Sequence, residues 1–215
     1  MKIAFIGAQA TGKTTLINEF LKQWPMYKRP EKTYRDFLKE GITTINENGN
    51  KESQRLILDA LVEEIESNTD EFVVFDRSVV DNVVYSLWLY GQEDKTKSGV
   101  DDDFITESRI LMGNAVKKYD VLFYLPVRKE LEITTDNELR SRSETYREEI
   151  DNIFKALVQT YEKNTGAFFP TEYCPAVITL DGPPDMRLGQ LQLYIKDDGR
   201  PYGEEDGSLI DPSKL

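Results

Sequence analysis

Gly7, Gly12, Lys13 and Thr14 stand in the spacing G-x-x-x-x-G-K-T within the stretch KIAFIGAQATGKTT, residues 2–15. Glycine at each end lets the backbone curl, so that successive N–H groups across Gly7, Ala8, Gln9, Ala10, Thr11, Gly12, Lys13, Thr14 and Thr15 face inward on an anion. At this spacing Lys13 reaches the outer phosphates of a nucleotide such as ATP, and the Thr14 hydroxyl is placed to hold Mg²⁺. A helix beginning here adds the positive end of its dipole.

Such a loop works only between a strand and a helix, and the flanking residues supply both. Ile3, Ala4, Phe5 and Ile6 form an apolar run too short for a helix, which reads as a buried parallel strand. Leu16, Ile17, Phe20 and Leu21 repeat at helical spacing, and Pro25 ends the run after Trp24. A second apolar strand, Phe72 to Phe75, ends in Asp76. Parallel sheets gather ligands at the carboxyl ends of their strands, so Asp76 is expected to face the same crevice as the loop and to join Thr14 around Mg²⁺. A plain helix N-cap is the structural alternative for Asp76. Arg77 follows, as a substrate contact or as one half of an ion pair.

Two further strands are expected at VLFYLP, residues 121–126, and AVITLDG, residues 176–182, with a doubtful one near Tyr27 to Glu31. Helices are expected between them. Leu58, Leu61, Val62 and Ile65 put one helical face in the core, leaving Glu63, Glu64 and Glu66 mostly in solvent. A helix from Val79 to Tyr90 should end at Gly91. QEDKTKSGVDDD, residues 92–103, reads as a solvated loop whose aspartates 101 to 103 cap the following helix, with a metal site as the less favoured alternative. Residues 41–52 also read as a loop. The whole describes a three-layer α/β sandwich with a parallel sheet, the P-loop nucleoside triphosphate hydrolase fold.

From Val127 to Arg147 the chain is polar and carries Arg128, Arg140, Arg142 and Arg147 ahead of an amphipathic helix through Ile150, Phe154, Leu157 and Tyr161. Arginines on such a segment suit a lid that closes over a transferring phosphoryl group, while Arg–Glu pairing along a surface helix is the alternative. The expected domain spans residues 1–195 with its lid at about 127–147, followed by an acidic, loosely ordered tail at 196–215.

Composition limits the chemistry further. At 215 residues and 39% hydrophobic content, one α/β domain is the natural size. A formal charge of −12 disfavours broad nucleic-acid binding. The single cysteine, Cys174, leaves no internal disulfide, no leader pattern precedes the first strand, and no apolar run nears the ~20 residues of a membrane span. A cytoplasmic location is expected. With no histidine, acid–base chemistry must come from carboxylates, lysine or tyrosine. A GTPase would need Asp-x-x-Gly and Asn-Lys-x-Asp, and neither occurs. A mechanical ATPase usually carries glutamate where Arg77 stands.

The combination GAQATGKTT, FDRS, DNELRSRSETYREEIDNIF and ITLDG resembles the nucleoside and nucleotide kinases of the phosphate-loop class. In layout it is most similar to the AAA-domain-like group that includes the ribosylnicotinamide kinase domain and has many phage members. Deoxynucleoside kinases carry Glu-Arg-Ser where this chain has Asp76-Arg77-Ser78, and thymidylate kinases carry Asp-Arg with an aromatic next. The resemblance implies that Lys13, Arg140 and Arg147 stabilise the γ-phosphoryl group while Thr14 and Asp76 organise Mg²⁺. It implies Glu31 as the general base for a nucleoside acceptor. For a monophosphate acceptor no strong base is needed, and Arg29, Arg35 or Arg77 would grip the phosphate. It also sets the GPPD loop near the nucleotide base. The expected partner is a small-molecule phosphoryl acceptor, and a homodimer is left open. Two alternatives stand beside the kinase: action on a base or end of a polynucleotide, and an ATP-binding regulatory or assembly module.

Overall fold

The computed structural model describes residues 1–31, 33, 36, 44–129 and 143–203. Arg35, Arg140, Arg142 and residues 204–215 lie outside them, as does most of the expected lid. Four parallel strands, β1 (Lys2–Ile6), β2 (Val73–Asp76), β3 (Val121–Tyr124) and β4 (Ala176–Thr179), form one sheet in the order β2-β1-β3-β4. Around it lie α1 (Lys13–Gln23), α2 (Lys51–Ser67), α3 (Val79–Tyr90), α4 (Lys95–Ser98), α5 (Asp102–Ala115), α6 (Glu144–Glu162) and α7 (Pro184–Leu191).

β1 is central and buried on both faces, which is why it reads as an unbroken apolar run. Alternation along it assigns the layers. Ile3 and Phe5 pack with Leu16, Ile17, Phe20 and Trp24 of the α1 segment and Leu191 of α7, whereas Ala4 and Ile6 meet the face covered by α2, α3, α5 and α6. Register then aligns the functional ends. Phe5 stands opposite Asp76 on one side and Phe123 on the other, so Gly7, Arg77 and Leu125 emerge at one edge of the sheet.

Side chains fix where the helices begin. Asn50 with Ser53 and Ser78 with Asp81 form reciprocal capping boxes on α2 and α3, and Asp101 and Ser143 cap α5 and α6. Asp101 thus serves as a cap and pairs with Lys51 at 2.7 Å. Among the described residues no acidic cluster could hold a metal, and no helix is long and apolar enough to cross a membrane.

Several expectations need correction. The doubtful strand near Tyr27 reduces to a single parallel bridge, Lys28 to Val73. The stretch at 92–103 is not wholly solvated, because Val100 is buried with Leu89, Phe104 and Ile105 in a small satellite core. Glu64 is half-buried rather than in solvent. Residues 196–203, read as the start of a loose tail, are tied down. Trp24 Nε1 donates to the Lys196 carbonyl at 2.8 Å and Tyr27 Oη to that of Gly199 at 2.6 Å, while Ile195 and Pro201 close an antiparallel bridge. Aromatic rings under this segment supply the anchoring that its polar composition concealed.

Candidate active site

The turn from β1 to α1 is shaped by what cannot fit. At Gly7, φ is +138°, and an added Cβ would stand 2.5 Å from the Leu125 carbonyl oxygen, so only glycine lets the loop leave the sheet here. Gly12 has φ +88° and caps α1 in the left-handed conformation. Between them Ala8, Gln9 and Thr11 are buried, whereas Gly12 and Thr15 face solvent. Lys13 is 6% exposed and folds over the loop, with its Nζ donating to the carbonyls of Gly7 and Ala8 at 2.8 and 2.6 Å and to Thr11 Oγ1 at 3.3 Å.

The Thr14 hydroxyl donates to Asp76 Oδ2 at 2.6 Å. This contact joins the first turn of α1 to the carboxyl end of β2 and sets two hard oxygen donors beside the loop, a fit for Mg²⁺ completed by phosphate oxygens and water. Arg77 comes next with φ +102°, a strained conformation for a non-glycine residue, held where its N–H donates to the Phe5 carbonyl at 3.2 Å. Its guanidinium lies 5.0 Å from the Tyr85 ring centroid and 3.8 Å from Asp81 Oδ1. Tyr85 Oη in turn accepts the Gln9 N–H at 3.0 Å. Asp81 accepts from Gly7 N at 3.3 Å and Ser78 N at 2.9 Å. Burial raises the Asp81 carboxyl pKa, opposed by Arg77, Lys13 and these two N–H groups. The first turn of α3 is therefore stapled to the phosphate-binding loop.

Glu31 is exposed and lies on the wall of a cavity of about 400 Å³, with Glu63 and Glu64 of α2 opposite. Burial, then the charges of Asp76 and Asp36, push the Glu64 carboxyl up to about 8. Arg29 donates to Asn18 of α1 at 2.7 Å. Arg147 sits in the first turn of α6, half-buried, next to Tyr146, whose ring packs on Trp88 at 4.6 Å and Tyr85 at 6.2 Å. The start of α6 is thereby seated against the helix that supports the loop. Arg128 pairs with Asp181 at the mouth of a second cavity, about 380 Å³, between β3, β4 and α6.

The sequence reading missed Asp81, Tyr85, Glu64 and Arg187. Asp81 carried a signal, since Ser78-x-x-Asp81 is a capping-box spacing, but its bond to Gly7 spans 74 residues. Arg187 carried none. It sits on a short helix with a mixed face, yet is 2% exposed and donates Nη1 to the Thr11 carbonyl at 2.6 Å and Nη2 to that of Pro126 at 3.2 Å.

A family model described as the AAA domain matches residues 2–165. No curated protein matches the chain in sequence. Among solved structures it is similar to a thymidylate kinase from Candida albicans at 16% identity, with 88% of each chain covered and a TM-score of 0.62. It is also similar to a deoxyadenosine kinase from M. mycoides bound to the products dCMP and a flexible dCDP, at 19% identity, 89% and 97% coverage and a TM-score of 0.57. The NadR protein in complex with NAD and AMP-PNP aligns at 14% identity with a TM-score of 0.57, covering 89% of this chain and 48% of that one. At such identities the shared property is the fold.

Proposed function

We infer that this chain, which belongs to the AAA-domain family, is a kinase that moves the γ-phosphoryl group of ATP to a nucleoside, nucleotide or related small metabolite, with Mg²⁺ as its cofactor. The observation that carries this reading is the 2.6 Å contact between Thr14 Oγ1 and Asp76 Oδ2, with Arg77 held in a strained conformation immediately after it. A loop that binds phosphates, an oxygen pair for the metal and a cation at the strand end form the donor half of a phosphoryl-transfer site. The kinases among the structural neighbours support the same reading.

The chain's own groups have separable tasks. Backbone N–H groups from Gly7 to Thr15 cradle the phosphates, and Lys13 exchanges its carbonyl partners for phosphate oxygens. Thr14 and Asp76 hold Mg²⁺, which neutralises charge on the phosphates when bound. Arg140 and Arg147, both on the lid segment, stabilise the transferring group. Glu31 takes the proton from a hydroxyl acceptor. If the acceptor is a monophosphate, Arg29, Arg35 or Arg77 holds it and Glu31 is not required.

The test is ADP release with ATP and Mg²⁺ across ribo- and deoxynucleosides, their monophosphates, nicotinamide riboside and single-stranded DNA. Turnover with one acceptor class, lost in Lys13→Ala, is expected. Acceptor-independent hydrolysis, or none, would sink the kinase reading in favour of a regulatory ATP-binding module.

A further inference from the structure

We propose that Arg187 is a positioning residue for the phosphate chain, a buried positive charge set beneath the phosphate-binding loop whose electrostatic partner is the bound triphosphate. This rests on the reading of that loop as a nucleotide site.

Arg187 is 2% exposed, and among the described residues no carboxylate pairs with it. Asp181, at the end of the segment that leads into its helix, is engaged by Arg128, and Arg128 itself repels Arg187. Two backbone carbonyls are its partners, Thr11 at 2.6 Å and Pro126 at 3.2 Å, and its Nε is buried with no acceptor. Proteins seldom bury a guanidinium on these terms, because the cost of removing it from water exceeds what two carbonyl dipoles return. A hydrophobic side chain would fill the space more cheaply if bracing were the whole purpose.

The position indicates what the charge serves. Nη1 lies 3.9 Å from where a Cβ on Gly12 would stand, so the guanidinium is in contact with the peptide unit joining Thr11 to Gly12. The carbonyl of that unit accepts from Arg187, and its N–H belongs to the anion-binding turn. Donation to the carbonyl polarises the amide and strengthens the N–H on its other side, while the full charge adds to the potential at the phosphates. The second contact, to Pro126 after β3, fixes the distance between the loop and the base of the lid segment. Arg187 therefore acts through the loop's backbone.

The experiment compares wild type, Arg187→Met and Arg187→Lys by calorimetric titration with ATP, ADP and sodium tripolyphosphate, with thermal unfolding of each unliganded protein alongside. Arg187→Met is expected to weaken ATP and tripolyphosphate by roughly tenfold or more, the loss that goes with one charge-assisted hydrogen bond. Arg187→Lys, which retains the charge, should stay within about threefold of wild type. A folded Arg187→Met that binds ATP within twofold of wild type would overturn the proposal. If Arg187→Met does not fold, Arg187→Lys decides: near-native binding supports the charge, and a tenfold loss in a folded Lys variant shows that the carbonyl clamp alone matters and overturns it. Wild-type protein that binds neither ATP nor tripolyphosphate is a different result, since it removes the nucleotide reading itself.

Discussion

Thr14 and Asp76 are 62 residues apart in sequence, and their hydrogen bond is short because the end of β2 and the first turn of α1 share one level of the sheet. Thr14→Val preserves shape and removes both the donor and the metal-facing oxygen. It should cost about 1–3 kcal/mol of stability, as a part-buried carboxylate loses a partner, and should reduce ADP release far more than the accompanying fall in folded fraction. Urea unfolding set beside the kinase assay separates the two effects. Glu64 permits a prediction with a sign. Its carboxyl titrates near 8 in the fold, against 4.5 for an unperturbed glutamate. Below 4.5 both folded and unfolded chains hold the proton. From there to about 8 the unfolded chain releases it and the folded chain keeps it, so the stability associated with the protonated group is lost as pH rises through this window. Glu64→Gln removes that slope. Unfolding temperatures of variant and parent should nearly coincide at pH 5 and diverge in the variant's favour by pH 8.5; curves that stay parallel would refute the assignment.

Among the elements, the junction of β1 and β3 is the least tolerant. Gly7→Ala forces a Cβ to within 2.5 Å of the Leu125 carbonyl at a φ that L-residues avoid, so a loss of about 3 kcal/mol or more is expected, read by denaturant titration. Ser78→Ala, which removes the α3 cap but leaves Asp81 in place, should cost about 1 kcal/mol by the same method. These elements were legible because their signals are local. A buried strand announces itself as an apolar run, a phosphate-binding turn as glycines at fixed spacing, a cap as Ser-x-x-Asp. What the sequence did not disclose depends on partners far along the chain. Glu64 falls beside the apolar stripe of α2, and it faces inward because Asp76 and the segment around Glu31 stand over that side of the helix. Residues 196–203 have the composition of a free tail, and their anchors include Trp24 and Tyr27, 172 residues earlier in the chain. Arg187 looks like the polar side of a surface helix until the Thr11 carbonyl is placed against it.

For the molecule as a whole, a formal charge of −12 coexists with Lys13, Arg77 and Arg187 beside or within the phosphate-binding loop. A long polyanion would meet the acidic exterior, whereas a small phosphate ligand would feel mainly the local cations. Single-stranded DNA should therefore be neither retained nor phosphorylated at about 0.15 M salt, where the Debye length is roughly 8 Å. Retention with the salt dependence of counterion release would reopen the polynucleotide alternative. The ties from Trp24 to Lys196, from Tyr27 to Gly199 and from Thr11 to Arg187 have a further consequence for the order of biosynthesis. The side chain beneath the loop is made 176 residues after the Thr11 carbonyl that it supports. A nascent chain can pair its early strands long before then, but its nucleotide site is finished only when the last part of the domain emerges, so truncated products of interrupted translation would be born without it.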